Sequence, residues 1–214
     1  CDIVEFVEAG KTSFRSTGIP IPGNPDENLC LKAYQLLKKD YNLPSISIHL
    51  HKNIPIGAGL GGGSADAAFL LRGLAERYNL IFESDLLKFY AAQLGSDCAF
   101  FIDNEPSMAE EKGDVLRPLE VKLQGKFLAV VYPDLHVDTR TAYSGVKPQK
   151  PGYNLEEVVT KMPVEEWKHF LKNDFEPGIF EKFPAIAKVK DFLYNAGALF
   201  ASMSGSGSAV FGIF

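Results

Sequence analysis

The stretch Asn53-Ile54-Pro55-Ile56-Gly57-Ala58-Gly59-Leu60-Gly61-Gly62-Gly63-Ser64-Ala65-Asp66-Ala67-Ala68 places five glycines within seven residues and then opens a helix with small residues. A backbone this rich in glycine takes positive φ and approaches a ligand closely. Free N–H groups at the helix start, with the positive end of the helix dipole, make an anion site. Ser64 is the expected N-cap, with a hydroxyl in reach of a phosphate or a bound metal, and the segment reads as a phosphate loop. A Walker loop requires Gly-Lys-Ser/Thr, and no lysine stands here. The dinucleotide fingerprint matches formally at Gly57, Gly59 and Gly62. It is rejected because the preceding strand alternates polar and apolar residues, and because Glu76 lies inside the predicted helix and not at the end of a second strand.

Outward from the loop, Ile46, Ile48 and Leu50 alternate with Ser47, His49 and His51, as in a half-buried strand with one polar face. Ala65 to Tyr78 reads as a helix. Ser84 to Leu94 reads as another, with Ser84 as N-cap and Gly95 just past its end. Upstream, Ile3 to Glu8 is a strand, Gly10 to Gly23 is broken by turn residues, and Asn24-Pro25-Asp26 starts a helix carrying Leu29, Ala33, Leu36, Leu37 and Tyr41. Downstream, Phe127 to Tyr132 and Ser208 to Phe214 read as strands, and Glu165 to Leu171 and Ala185 to Tyr194 as helices. The Pro and Lys cluster from Lys147 to Gly152 reads as a flexible connection. Strands and helices mix without a regular strand–helix–strand rhythm, which predicts an α+β fold.

Composition is consistent with a globular chain. There are 214 residues, 46% hydrophobic and 23% charged, with 16 Phe and 8 Tyr to fill a core. A net charge of −5 argues against a bulk nucleic-acid binder. No apolar run approaches the ~20 residues that span a bilayer, so no membrane partner is expected. Cys1, Cys30 and Cys98 match neither a disulfide framework nor a zinc pattern, and a reducing cytoplasm is the simplest setting. His49 and His51 share a strand face but have no third ligand in register, so no protein metal site is predicted. Trp167 and Phe170 share a helical face and read as core. The chain starts at Cys1 and stops within an apolar run at Phe214, so a longer parent protein is expected.

Pro55 to Ala68 resembles the second motif of the GHMP kinase superfamily, and Met203-Ser204-Gly205-Ser206-Gly207-Ser208-Ala209-Val210-Phe211 resembles its third. Between them, Leu94-Gly95-Ser96-Asp97-Cys98-Ala99-Phe100-Phe101 is similar to the Leu-Gly-Ala-Asp-Val-Pro-Phe-Phe signature of one branch, the kinases that act on a cytidine-diphosphate-linked methylerythritol. Tyr132-Pro133 and Val137 to Tyr143 resemble the same branch. Cys98-Ala99 departs from the usual Val-Pro but leaves the aspartate in place. The superfamily's first-strand lysine and the Gly-Tyr-His segment that follows it do not occur in this chain. On that ground the chain by itself is expected to be inactive.

The resemblance implies a two-lobed α+β fold, with an N-terminal lobe like ribosomal S5 domain 2 over residues 1–118 that binds nucleotide. A ferredoxin-like C-terminal lobe over 119–214 would bind substrate. It implies that Pro55, Ile56, Gly57, Ala58, Gly59, Leu60, Gly61, Gly62, Gly63 and Ser64 cradle the phosphates of ATP, which arrives with Mg²⁺ held mainly by phosphates and waters. Asp97 is the implied catalytic base, since phosphoryl transfer needs positioning and charge stabilisation more than covalent chemistry. Tyr143 is implied to stack on cytosine and Thr139, one helical turn earlier, to offer a hydroxyl. Ser204, Gly205, Ser206 and Gly207 would line the substrate side. Asp66 is expected only to favour the first helical turn by its charge, and Lys11 and Lys52 to be solvated. A monomer or weak dimer is expected. Two other readings stay open at this point: another GHMP kinase, for homoserine, a mevalonate derivative or a sugar, and a catalytically silent nucleotide-binding module.

Overall fold

The structure is a computed structural model that describes residues 1–81, 84–113, 115–146, 149–150 and 152–214. The chain divides into two compact units, Cys1–Ile56 with Gly61–Pro118, and Gly57–Leu60 with Leu119–Phe214. The first part of the glycine loop thus clusters with the second unit and its last part with the first.

In the first unit, β1 (Ile3–Glu8), β2 (Ser13–Gly18) and β3 (Ile46–Lys52) form a sheet in the order β1-β3-β2. The central strand β3 runs antiparallel to β1 and parallel to β2. Its alternation puts Ile46, Ile48 and Leu50 in the core, and the same period carries on to bury Lys52. The turn-like stretch after Gly10 contains a strand because only Phe14 of β2 packs on the core, while the backbone pairs with β3. Polar residues fill the rest of β2, so no apolar alternation announces it.

Helix α1 (Leu29–Asp40) is capped by Asn28, whose side chain accepts from the Cys30 N–H; Asn24 instead caps a short 3₁₀ turn at Pro25–Glu27. The helical segment expected from Asn24 is therefore two elements with two caps. Helix α2 (Gly62–Arg77) buries Ala67, Ala68, Leu70, Leu71 and Leu74 beside Leu31, Tyr34 and Leu37 of α1. Helix α3 (Ser84–Leu94) packs on both; the side chain of Ser84, its expected cap, lies outside the described residues. A 3₁₀ turn at Ser96–Cys98 leads to α4 (Phe100–Asp103), and the hairpin of β4 (Ser107–Glu110) and β5 (Val115–Pro118) closes the unit.

In the second unit, β6 (Leu128–Val131), β7 (Phe200–Met203) and β8 (Val210–Ile213) form an antiparallel sheet in the order β6-β8-β7. The helices are α5 (Thr139–Ser144), α6 (Leu155–Lys161), α7 (Val164–Phe170), α8 (Glu176–Lys182) and α9 (Pro184–Asn195). One core joins Val137, Ala142, Ile179, Ile186 and Leu193 to Met203 and Val210. A second places Trp167, with Phe170 packed against it, on Phe200 and Ile213. Of the expected connection from Lys147 to Gly152, residues 147, 148 and 151 lie outside the described residues. Antiparallel and mixed sheets beside helices make the fold α+β. Among the described residues no helix is long and apolar enough to cross a membrane.

Candidate active site

The glycine loop leaves β3 through Pro55 and Ile56, both half-buried, and turns through Gly57, Gly59 and Gly61, which have φ of +68°, +75° and +66°. A side chain at Gly59 would not fit: a Cβ there would lie 2.0 Å from the Ser204 carbonyl oxygen. Within the second unit, Ser204 Oγ donates to the Gly59 carbonyl at 2.7 Å and the Ala209 N–H donates to the Ala58 carbonyl at 3.0 Å. The two glycine turns, about 140 residues apart in sequence, are therefore hydrogen-bonded to each other.

The N-cap of α2 is Gly61 in the left-handed conformation, and the helix begins at Gly62. Ser64 is the third helical residue and not the cap, because glycine reaches this φ without the steric cost a Cβ brings. The Ser64 hydroxyl contacts the buried Cys98 thiol; burial pushes that thiol up and Ser64 opposes the shift. The Phe101 ring packs over Gly61. The signature segment of Asp97 thus sits against the first turns of α2. Asp97 itself is exposed, with Ser96 Oγ 3.5 Å from its Oδ1. Cys98 and Ala99 take the inward positions of this turn, which leaves Asp97 on its outer side.

Lys52 corrects a further expectation. Its side chain is 4% exposed and pairs with two carboxylates, Asp2 and Asp66, the latter at 2.8 Å. Asp2 also accepts from the N–H groups of Asn53 at 2.7 Å and Ile54 at 2.8 Å. Asp66 is therefore a buried member of an ion cluster and not a first-turn surface charge. A Cβ on Gly62 would lie 3.0 Å from Lys52 Nζ, so the cluster sits directly beneath the start of α2. The sequence carried a signal for this. Lys52 continues the period-2 row of Ile46, Ile48 and Leu50, and Asp66 shares a helical row with Leu70 and Leu74. Lys11 is exposed as expected.

Burial lifts the Asp66 carboxyl to about 6 against the pull of Lys52. Burial also acts on Asp2 but is outweighed by the Ile54 N–H, Lys52 and the Asn53 N–H, which hold it below its ordinary value. Burial alone would lower Lys52, yet its two carboxylate partners raise it. The Asp66 shift has a definite sign. Its folded value lies above the unfolded one, so the folded state binds the proton more tightly and stability falls as pH rises from about 4 to about 6. Lowering the pH from 7 to 5 is expected to recover roughly 1 kcal/mol through this group. Urea titrations of wild type and Asp66→Asn at both pH values check it; the gain should vanish in the variant.

In the third-motif turn, Gly205 and Gly207 have positive φ, and the Gly207 N–H donates to the Ser204 carbonyl at 3.0 Å. Ser204 and Ser206 are half-buried, Gly205 is exposed and Gly207 is buried. Thr139 and Tyr143 lie on α5 of the same unit, capped by Asp138 accepting from the Thr141 N–H. Tyr143 is 65% exposed and its ring meets Phe175 edge-on at 4.9 Å, leaving most of the ring free to take a partner. His49 and His51 flank Thr17 Oγ1 at 2.9 and 2.8 Å. Among the described residues no three acidic, histidine or cysteine side chains gather as a metal site. Sequence reasoning missed Asn173 and Glu176, which grip the peptide of Met203 before the third-motif turn.

Family models described as GHMP kinases N terminal domain and GHMP kinases C terminal match residues 28–104 and 159–214, so the chain belongs to the GHMP kinases, and it is a small-molecule kinase. Within them it belongs to the 4-diphosphocytidyl-2-C-methyl-D-erythritol kinase family. The kinase of that name from Bacteroides fragilis is 48% identical over 95% of this chain and 74% of its own length. The one from Azobacteroides pseudotrichonymphae is 50% identical over 100% of this chain and 80% of its own. A crystal structure of 4-(cytidine 5'-diphospho)-2C-methyl-D-erythritol kinase has a TM-score of 0.78 at 32% identity, covering 99% of this chain and 75% of that one. A homoserine kinase from Cytophaga hutchinsonii reaches a TM-score of 0.76 at 18% identity, covering 100% of this chain and 76% of that one, and shares the fold.

Proposed function

We propose that this protein phosphorylates the 2-hydroxyl of 4-(cytidine 5'-diphospho)-2-C-methyl-D-erythritol with MgATP, a step in non-mevalonate isoprenoid precursor synthesis. The observation that carries the reading is the joining of the two glycine turns, Gly57–Leu60 and Ser204–Gly207, in one hydrogen-bonded unit. Backbone amides from Gly57 to Ser64 bind the nucleotide phosphates at the start of α2, where the helix dipole favours anions. Magnesium arrives with ATP as part of the substrate. Asp97 takes the proton from the 2-hydroxyl as its oxygen attacks the γ-phosphorus. The bond from the γ-phosphorus to the bridging oxygen breaks, and ADP leaves.

Ser204 to Gly207 supply amides and hydroxyls to the cytidyl substrate, Thr139 offers a hydroxyl, and Tyr143 stacks on the base. ATP turnover by the full-length enzyme with the cytidyl substrate, set against homoserine and mevalonate, tests the reading; a preference for either of the latter two would overturn it. Tyr143→Ala is expected to raise the KM for the cytidyl substrate roughly 5- to 150-fold, the equivalent of about 1–3 kcal/mol of lost stacking. The KM for ATP should barely move and Tyr143→Phe should be nearly silent, because stacking uses the ring face. Equal losses for both nucleotides in steady-state kinetics would count against stacking.

A further inference from the structure

Asn173, Asp174 and Phe175 lie between α7 and α8, Glu176 opens α8, and none of the four belongs to either glycine motif. The Asn173 carboxamide is fully engaged. Its Nδ2 donates to the Met203 carbonyl at 2.8 Å and to the Gly205 carbonyl at 2.7 Å, and its Oδ1 accepts from the Phe175 N–H at 2.9 Å. On the other side of the Met203 Cα, the Met203 N–H donates to Glu176 Oε1 at 2.9 Å. Glu176 is itself fixed by Ser202 Oγ at 3.2 Å and by Lys190 Nζ at 2.5 Å. One short segment thus grips the strand end that leads into the Ser204–Gly207 turn. Between Asn173 and Glu176 in the chain, Phe175 carries the ring against which Tyr143 rests.

We propose that Asn173 is a positioning residue that holds the Ser204–Gly207 turn and, through Phe175, the Tyr143 ring in one fixed arrangement for the cytidyl substrate. The inference rests on the functional reading above. Two carbonyls that converge on one amide nitrogen need a two-proton donor. Aspartate has the same shape and can still accept from the Phe175 N–H, but it offers no donor and turns a negative oxygen toward both carbonyls. A half-satisfied polar cluster of this kind costs more than its bonds contribute when complete.

The test is steady-state kinetics of the full-length enzyme as wild type, Asn173→Asp, Phe175→Leu, Tyr143→Ala and the Asn173→Asp/Tyr143→Ala double variant, with the exposed Asp174→Asn as control. Asn173→Asp is expected to raise the cytidyl KM about tenfold while the ATP KM changes less than about threefold. Phe175→Leu, which leaves the Asn173 bonds in place, should shift the cytidyl KM in the same direction by a smaller factor. The double variant should lose less than the product of the single losses, as expected of groups that act on one contact. Unchanged cytidyl KM in both Asn173→Asp and Phe175→Leu, or strictly multiplicative losses, overturns the inference alone. If Asn173→Asp does not fold, Phe175→Leu decides it by the same KM criterion. Wild type that ignores the cytidyl substrate overturns both the functional reading and this one.

Discussion

In the full-length enzyme, Asp97→Asn is expected to lower kcat by about 10²–10⁴-fold, the range of a lost general base, and to leave the KM for ATP nearly unchanged. The amide keeps the size and hydrogen-bonding reach of the carboxylate but cannot take a proton. Its loss therefore falls on the transition state and not on ground-state binding. The structure makes the comparison clean. Asp97 is exposed at the outer side of its turn, while Cys98 and Ala99 beside it carry the packing. The variant should consequently unfold at the same urea concentration as wild type. A variant with normal kcat would leave Asp97 as a turn residue and exclude it as the base.

Lys52→Met is expected to cost about 3–5 kcal/mol of stability, because it removes one partner from a buried ion cluster and strands the others. Lys52 has 4% of its side chain exposed, and its partners Asp2 and Asp66 have 3% and 6%. Methionine fills much of the volume, so the penalty measures uncompensated charge more than a cavity. Asp66 can answer by keeping its proton, for which burial already prepares it. Asp2 retains the Asn53 and Ile54 N–H bonds but loses its cation. The double variant Lys52→Met/Asp66→Leu should recover part of the loss by removing a charge along with its partner. Urea unfolding of the single and double variants checks this; a single variant as stable as wild type would show that the cluster contributes nothing net.

The two predictions separate the chemistry from the scaffold. Asp97 stands at the surface beside the first turns of α2, and its substitution should be read only in rate. Lys52 stands beneath Gly62 at the other side of the same helix start, and its substitution should be read first in stability. Because the cluster underlies the helix turn proposed to carry the phosphate-binding amides, the ATP KM is the kinetic parameter that Lys52→Met should raise.

Much of this architecture is legible in the sequence. The five glycines from Gly57 to Gly63, the Ser204–Gly207 turn and the Asp97 signature are local strings, and a local string carries its own backbone chemistry. The α+β class, the row of Ile46, Ile48 and Leu50, and the helices ending at Arg77 and Leu94 followed from periods of two and 3.6, which a short window of residues displays. What tertiary structure alone decided are pairings over long separations. Strand β2 exists because β3 offers it a backbone edge, and its own polar residues do not announce it. Lys52 was expected in solvent because a lysine usually keeps its charge in water. Only the arrival of Asp2, 50 residues before it, and Asp66, 14 after it, makes burial of that charge affordable. Asn173 likewise shows no periodic signal, and its meaning lies in two carbonyls 30 and 32 residues away. Hydrogen bonds and ion pairs of this kind depend on angles and distances to groups that the chain brings together only when it folds, which the order of residues alone does not display.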